Sequence, residues 1–304
     1  MGYAKHIESD RGLTARMFVT GLFLVILWAI LGAVLAAVGV GIGLIVVIEL
    51  AVIFGQYWFS DKIALFGMGG RLVTPEEEPT LHAMVDRLCA LADMPKPRVA
   101  VAETDMPNAF ATGRSPKAAV VCATRGIMRR LSDEELEAVL AHEISHVAHR
   151  DVAVMTIASS VGMLAGLLTR VAMWSSIFTS DSNDNGGGAL AELAIMLVSI
   201  VVYALSFLLT MALSRYRELA ADRSGAILIG RPALLASALV KITGEMSRIP
   251  TKDLRKAEAF NAFFFTPAIN GKSGTSIGNL FSTHPTIEKR LAQLDELERQ
   301  LNAG

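Results

Sequence analysis

Leu140-Ala141-His142-Glu143-Ile144-Ser145-His146 contains an HExxH motif. On a helix, positions i and i+4 lie on one side, so His142 and His146 can both reach a single Zn²⁺. Glu143 then sits beside the metal and can take a proton from its bound water. Only three positions of the motif are fixed, and its bland reading is a surface helix that happens to carry two histidines. Ser132-Asp133-Glu134-Glu135, just upstream, matches a capping box and predicts that a helix begins there. Leu136, Val139, Leu140 and Ile144 recur at helical spacing and would form its buried face.

Tetrahedral zinc in a hydrolase needs a third protein ligand and an open position. Arg217-Glu218-Leu219-Ala220-Ala221-Asp222 supplies the best candidate. Glu218 and Asp222 are again i and i+4 on a predicted helix. Glu218 would be the ligand, and Asp222 could hold the free ring nitrogen of a ligand histidine. The competing reading is an exposed face salt-bridged to Arg215 and Arg223. His149 lies on nearly the same face as His142 but about 10 Å further along the axis, so on a continuing helix it cannot share the metal. His6 and His82 have no partner in sequence and read as solvated or structural.

These residues are embedded in an apolar chain. Hydrophobic residues make up 52% of 304 and charged residues 19%, below the roughly 25% of ordinary soluble domains. The excess is concentrated in segments long enough to cross a bilayer, which take about 20 residues. A helical hairpin is expected near 17–38 and 41–60, with Gly39, Gly41 and Gly43 offering a turn. A second pair runs from Val152 to Phe178 and from Ala189 to Leu213, joined by the polar stretch Thr179 to Gly188. A buried hairpin within a soluble core is the alternative for this second pair. A cleaved signal peptide is not expected, because a second span follows the first at once.

Lys5, Arg11, Arg16, Lys62, Arg71, Arg150, Arg215 and Arg217 flank these segments on one side, and 179–188 has neither Lys nor Arg. Both termini and the long polar segments are therefore expected to face the cytosol. Arg170 and Glu192 would fall near the outer interface, and Glu49 nearer mid-membrane, either hydrogen-bonded in the interior or on a polar path toward the site. The net charge of −1 gives no reason to expect a nucleic-acid partner. Cys89 and Cys122, far apart and among apolar neighbours, read as packing residues in a reducing compartment.

HExxH followed by E-x-x-x-D resembles the gluzincin clan. Pro107-Asn108-Ala109-Phe110-Ala111-Thr112-Gly113 upstream, and Ser282-Thr283-His284-Pro285 near the end, narrow the match. With the paired hydrophobic segments, the whole chain closely resembles the HtpX family of heat-shock membrane proteases, to which the CAAX prenyl endoproteases are related. The resemblance implies one zinc per chain held by His142, His146 and Glu218, with Glu143 catalytic and Asp222 behind the ligands. It implies that Asn108, Ala109 and Phe110 belong to an edge strand that binds substrate. The β-prone runs Arg98 to Ala102 and Ala118 to Ala123 flank that segment and agree with it. His284 is open between stabilising charge in catalysis and simply preceding Pro285 at the start of the last helix. Phe263, Phe264 and Phe265 are open between core packing, a substrate groove and lipid contact.

The expected fold is mainly α with a small β-sheet (α+β). Four hydrophobic helices are expected beside a gluzincin-like metallopeptidase domain. The expected division is an N-terminal transmembrane hairpin (1–60), a first protease part with the HExxH helix (61–151), a second hairpin (152–213) and a second protease part with the third ligand (214–304). Glu218 follows Leu213 by about 7.5 Å of helix, so a shared zinc must lie close to the membrane surface. The resemblance implies a bacterial inner-membrane protease facing the cytosol, with the bilayer and misfolded or damaged membrane proteins as its partners. A site-specific processing protease of CAAX type and a non-enzymatic metal-binding scaffold are the alternatives.

Overall fold

The computed structural model describes residues 11–37, 42–178, 187–246 and 282–303. The stretch 179–186, the turn at 38–41, His6 and Phe263–Phe265 lie outside the described residues, as do the side chains of Glu49 and Glu192. The chain forms α1 (Arg11–Ala37), α2 (Ile42–Trp58), α3 (Ser60–Met68), β1 (Gly70–Leu72), α4 (Pro79–Ala92), β2 (Arg98–Ala102), β3 (Ala109–Thr112) and β4 (Val120–Thr124). It continues through α5 (Arg125–Arg130), α6 (Asp133–Ala148), α7 (Asp151–Phe178), α8 (Gly187–Ile229), α9 (Pro232–Met246) and α10 (Ile287–Ala303).

The expectation of a mainly helical α+β protein holds. Among the described residues, three helical stretches are long and apolar enough to cross a membrane: Thr14–Ala33, Asp151–Arg170 and Leu193–Ile229. The remaining expected span, near 41–60, corresponds to α2, which has 17 residues and sits at the lower limit for crossing. Leu31, Val161, Leu164, Ala165, Leu168 and Val202 make a core between α1, α7 and α8. Phe18, Phe23, Val25, Val47 and Phe54 face outward, as side chains in contact with lipid do.

The fourth segment does not stop at Leu213. α8 runs 43 residues without a break, so at 1.5 Å per residue it spans about 65 Å, roughly twice the hydrocarbon thickness. One rigid helix therefore carries both the membrane segment and Glu218, and the expected boundary at 213/214 falls inside it.

The sheet has the order β1-β2-β4-β3, with β2 and β4 parallel and the outer strands antiparallel to them. Alternation along its strands gives it two buried faces. Val99, Val101, Val121 and Ala123 join the main core with Leu88 of α4 and Leu140 and Ile144 of α6. Ala100, Ala102, Cys122 and Phe110 pack instead under Ala64 and Leu65 of α3. Both cysteines are free and buried, and burial pushes Cys89 up to about 11 and Cys122 up to about 12, which makes them unreactive packing residues. β1 was not foreseen, because three residues with little burial carry no periodic signal. β3 lies at the edge of the sheet, as expected for the segment after Asn108.

Candidate active site

α6 begins where the capping box predicts. The Ser132 side chain accepts from the Glu135 amide and the Glu135 carboxylate accepts from the Ser132 amide, at 3.3 and 3.0 Å. Glu135 is also tied to α9, accepting from Ser237 Oγ (2.7 Å) and Lys241 Nζ (2.8 Å). Burial alone would raise its carboxyl, but Lys241, Ser237 and the Ser132 amide outweigh burial and hold it at about 2. The start of the HExxH helix is thereby fixed both along its own axis and against its neighbour.

One turn from the end of α6, His142 and His146 bring their Nε2 atoms within 3.1 Å. α8 crosses α6 at this level. Glu218 Oε1 lies 3.3 Å from His146 Nε2, and Glu218 Oε2 lies 3.8 Å from His142 Nε2. The three residues converge as a candidate metal site. The crossing is close because residue 225 is glycine: an added Cβ there would lie 2.7 Å from the His142 amide nitrogen. The structure thus brings together the two imidazoles and the carboxylate expected from sequence.

The far sides of the rings are committed. His142 Nδ1 lies 2.9 Å from Asp222 Oδ1, Asp222 having been expected to hold one of the two ligand histidines, and His146 Nδ1 lies 2.6 Å from Asp151 Oδ2. With Nδ1–H of each ring turned to a carboxylate, both Nε2 lone pairs point at the same place. Two lone pairs at that separation repel unless a cation lies between them. Tetrahedral zinc with bonds of about 2.0–2.1 Å would set its ligand atoms about 3.3 Å apart, so the donor set fits. The electrostatics agree. Burial pushes His142 below the ordinary imidazole value and outweighs Asp222, which leaves the neutral ring a metal needs. Burial also disfavours charge on His146, but Glu218 and Glu143 outweigh it and raise that ring, the mark of carboxylates calling for a positive charge.

Glu143 is buried beside this point. Burial, opposed by His146, pushes its carboxyl up to about 8, and the Ala111 amide of β3 faces it. His284 is also buried here, with Nδ1 3.1 Å from Glu218 Oε2 and with Nε2 unpartnered among the described residues. α10 begins only at Ile287, so Pro285 stands outside the helix and not at its first position. His82 is structural, its Nε2 3.0 Å from the Val73 carbonyl. His149 caps the end of α6 and is not among the three residues that converge.

Asn108 is fully buried. Its amide donates to Thr124 Oγ1 (3.0 Å), and its carbonyl accepts from the Thr124 amide (2.9 Å). Because N–H and C=O of one strand residue point the same way, 108, 110 and 112 face β4, while 109 and 111 face the open edge. Phe110 is a core residue by its side chain. The open edge of β3 borders a cavity of about 520 Å³, walled by Ala109, Ala111, Glu143 and His146 and extending to Gln56 of α2 and Met155 of α7.

Three site residues were missed by sequence reasoning. Arg290 is buried and donates two hydrogen bonds to Asp222, Nε to Oδ2 at 2.7 Å and Nη2 to Oδ1 at 2.6 Å. Asp151 and Arg217 form an ion pair beside His146. Arg290 had one available signal, a basic residue on the core-facing side of an amphipathic helix.

A membrane-embedded helical bundle that holds paired imidazoles, a carboxylate ligand candidate and a buried glutamate at the edge of a sheet defines a membrane-anchored metalloprotease. The model of Peptidase family M48 matches residues 75–298, and the chain belongs to that family. It is 58% identical to Protease HtpX homolog 1 of Streptomyces coelicolor, over 97% of this chain and 95% of that protein. It is 51% identical to the Protease HtpX homolog of Moorella thermoacetica, over 98% of both. The crystal structure of S. mikatae Ste24p shares the fold, with a TM-score of 0.57 at 16% identity, covering 93% of this chain and 67% of that one. The protein is therefore a protease with polypeptide substrates, associated with a membrane and using a metal ion.

Proposed function

We propose that the chain is a zinc endopeptidase of the bacterial inner membrane, with its site toward the cytosol and with misfolded or damaged membrane proteins as substrates. The observation that carries the zinc reading is the pair of Nε2 atoms 3.1 Å apart, each ring backed by a carboxylate. His142, His146 and Glu218 hold one Zn²⁺ per chain. When bound, that ion supplies Lewis acidity toward the scissile carbonyl and lowers the pKa of the attacking water. Glu143 takes the proton from the water and returns it to the leaving amine. His284 orients Glu218 through Nδ1 and presents Nε2 to charge developing on the substrate. Asp222, held by Arg290, fixes the His142 ring. An extended substrate adds to β3 through the outward amides and carbonyls of Ala109 and Ala111, with Asn108 and Phe110 anchoring the strand from behind.

In this reading, 1–60 and 152–213 anchor the chain, and 61–151 and 214–304 form one peptidase unit. The cavity runs from the sheet edge to α2 and α7, where a segment leaving the bilayer would arrive. The cytosolic orientation rests on the Lys and Arg residues that flank the hydrophobic segments.

The test uses purified protein and a loosely folded substrate, with and without zinc, beside the Glu143→Ala variant. Zinc-dependent cleavage is expected from the wild type. The variant should bind zinc and lose about 10²–10⁴-fold in kcat/KM. Wild-type cleavage by the variant would reject the assignment. Cut-site profiling tests the substrate class, since one narrow consensus would favour a processing protease over quality control.

A further inference from the structure

Each histidine of the candidate metal site is backed by a carboxylate, and each carboxylate by an arginine. For His142 the chain is Asp222 and then Arg290, from α8 and α10. For His146 it is Asp151 and then Arg217. Asp151 Oδ2 lies 2.6 Å from His146 Nδ1, and the Arg217 guanidinium pairs with Asp151 Oδ1. Arg217 also donates from Nη2 to the His149 carbonyl at 3.3 Å, which fixes it to the end of α6. Asp151 and Arg217 are 8% and 6% exposed, so neither charge is left to water.

The backbone explains how Asp151 comes to be there. On a continuous helix a residue five positions after His146 would point about 140° away from it. α6 ends at Ala148 instead, and Arg150 takes φ of 56°, a left-handed conformation that costs a non-glycine residue of order 1 kcal/mol. That turn folds the first residue of α7 back under the His146 ring. The Arg150 carbonyl then accepts from the amides of Ala153 and Val154 (3.0 and 3.2 Å) and launches α7.

We propose that Asp151 is a positioning residue of the metal centre, held by Arg217. It accepts the His146 Nδ1 proton and so fixes the tautomer whose Nε2 lone pair faces the metal. Asp151 opens one membrane helix and Arg217 lies on the extension of another, so the packing of the α7–α8 hairpin sets how tightly the metal is held. The inference rests on the zinc reading given above.

The test is zinc affinity of the full chain in detergent, by competition with a chromophoric chelator, in a Glu143→Gln background that prevents self-cleavage. A second readout is the visible spectrum of the cobalt-substituted protein, which reports ligand geometry and not folding. Asp151→Ala should weaken zinc by about 10–100-fold and shift the cobalt band. Asp151→Asn, whose amide oxygen still accepts from Nδ1, should lose less. Arg217→Met should weaken zinc when Asp151 is present and change little beside Asp151→Ala. Lys96→Ala, which removes only an exposed ion pair with Asp86, should leave affinity unchanged. Wild-type affinity and an unshifted cobalt band in Asp151→Ala, or in Asp151→Asn should the alanine variant fail to fold, overturn the proposal. Failure of the parent protein to bind zinc at all overturns the metal reading instead.

Discussion

Arg290 lies between Asp222, to which it donates twice, and Glu218, whose Oε2 is 3.7 Å from its Nη1. It is 2% exposed, so its charge depends on buried carboxylates, Asp222 first, with Glu218 and Glu143 adding to it. Replacing it with methionine removes the partner of a buried aspartate while nearly preserving volume. Breaking one side of a buried pair costs about 3–5 kcal/mol, more than the pair itself contributes. Arg290→Met should therefore lower the apparent unfolding free energy by that order and weaken zinc, because Asp222 no longer has a fixed place under His142. Thermal unfolding and chelator competition on the same sample measure both. A variant as stable as the wild type would show that Asp222 finds another partner.

Two elements decide whether the site forms, and each has a residue that can be challenged. α8 approaches α6 at Gly225, one turn beyond Asp222. An alanine Cβ would meet the backbone of His142 and Ala141 at 2.7–3.0 Å, and backbone atoms cannot step aside as a flexible side chain does. Gly225→Ala should force the helices apart, carry Glu218 out of reach and abolish zinc binding while leaving helix content unchanged by circular dichroism. Retained zinc affinity would contradict that account. The start of α6 depends on the charge of Glu135. Its carboxyl is held at about 2 against an ordinary 4.5, so its contribution to stability is complete above pH about 4.5 and disappears as pH falls toward about 2. Melting curves across that window should fall more steeply for the wild type than for Glu135→Gln. Parallel curves would exclude the linkage.

At the scale of the molecule, the three candidate ligands join two helices that are far apart in sequence, so bound zinc is a cross-link of the native state. Ligand at a hundredfold excess over its Kd adds about 2.7 kcal/mol to stability. Chelation should lower the thermal midpoint of the wild type and added zinc should restore it, whereas Glu218→Ala should melt at one temperature with or without zinc. A zinc effect that survives in Glu218→Ala would place the stabilising metal elsewhere. The same arrangement fixes where cleavage can happen. α8 runs from its apolar stretch to the candidate metal site without a break, so on the proposed membrane anchoring the site would stand at a set height above the bilayer.

The chemistry was legible in the sequence because it depends on local spacing. Two histidines four apart on a helix must share a face, a capping box must start that helix, and runs of apolar residues must leave water. From these followed HExxH, the four hydrophobic segments and the candidate Glu218 and Asp222, whereas the edge strand after Asn108 was implied by the family resemblance. Only the tertiary structure decided that Ala109 and Ala111 face the open edge, and that Asp151, Arg217 and Arg290 reach the candidate ligands. Those facts depend on a left-handed residue at 150 and on the crossing of distant helices. Short-range periodicity records which face a residue occupies on its own element, and it holds no information on what another element will bring against that face.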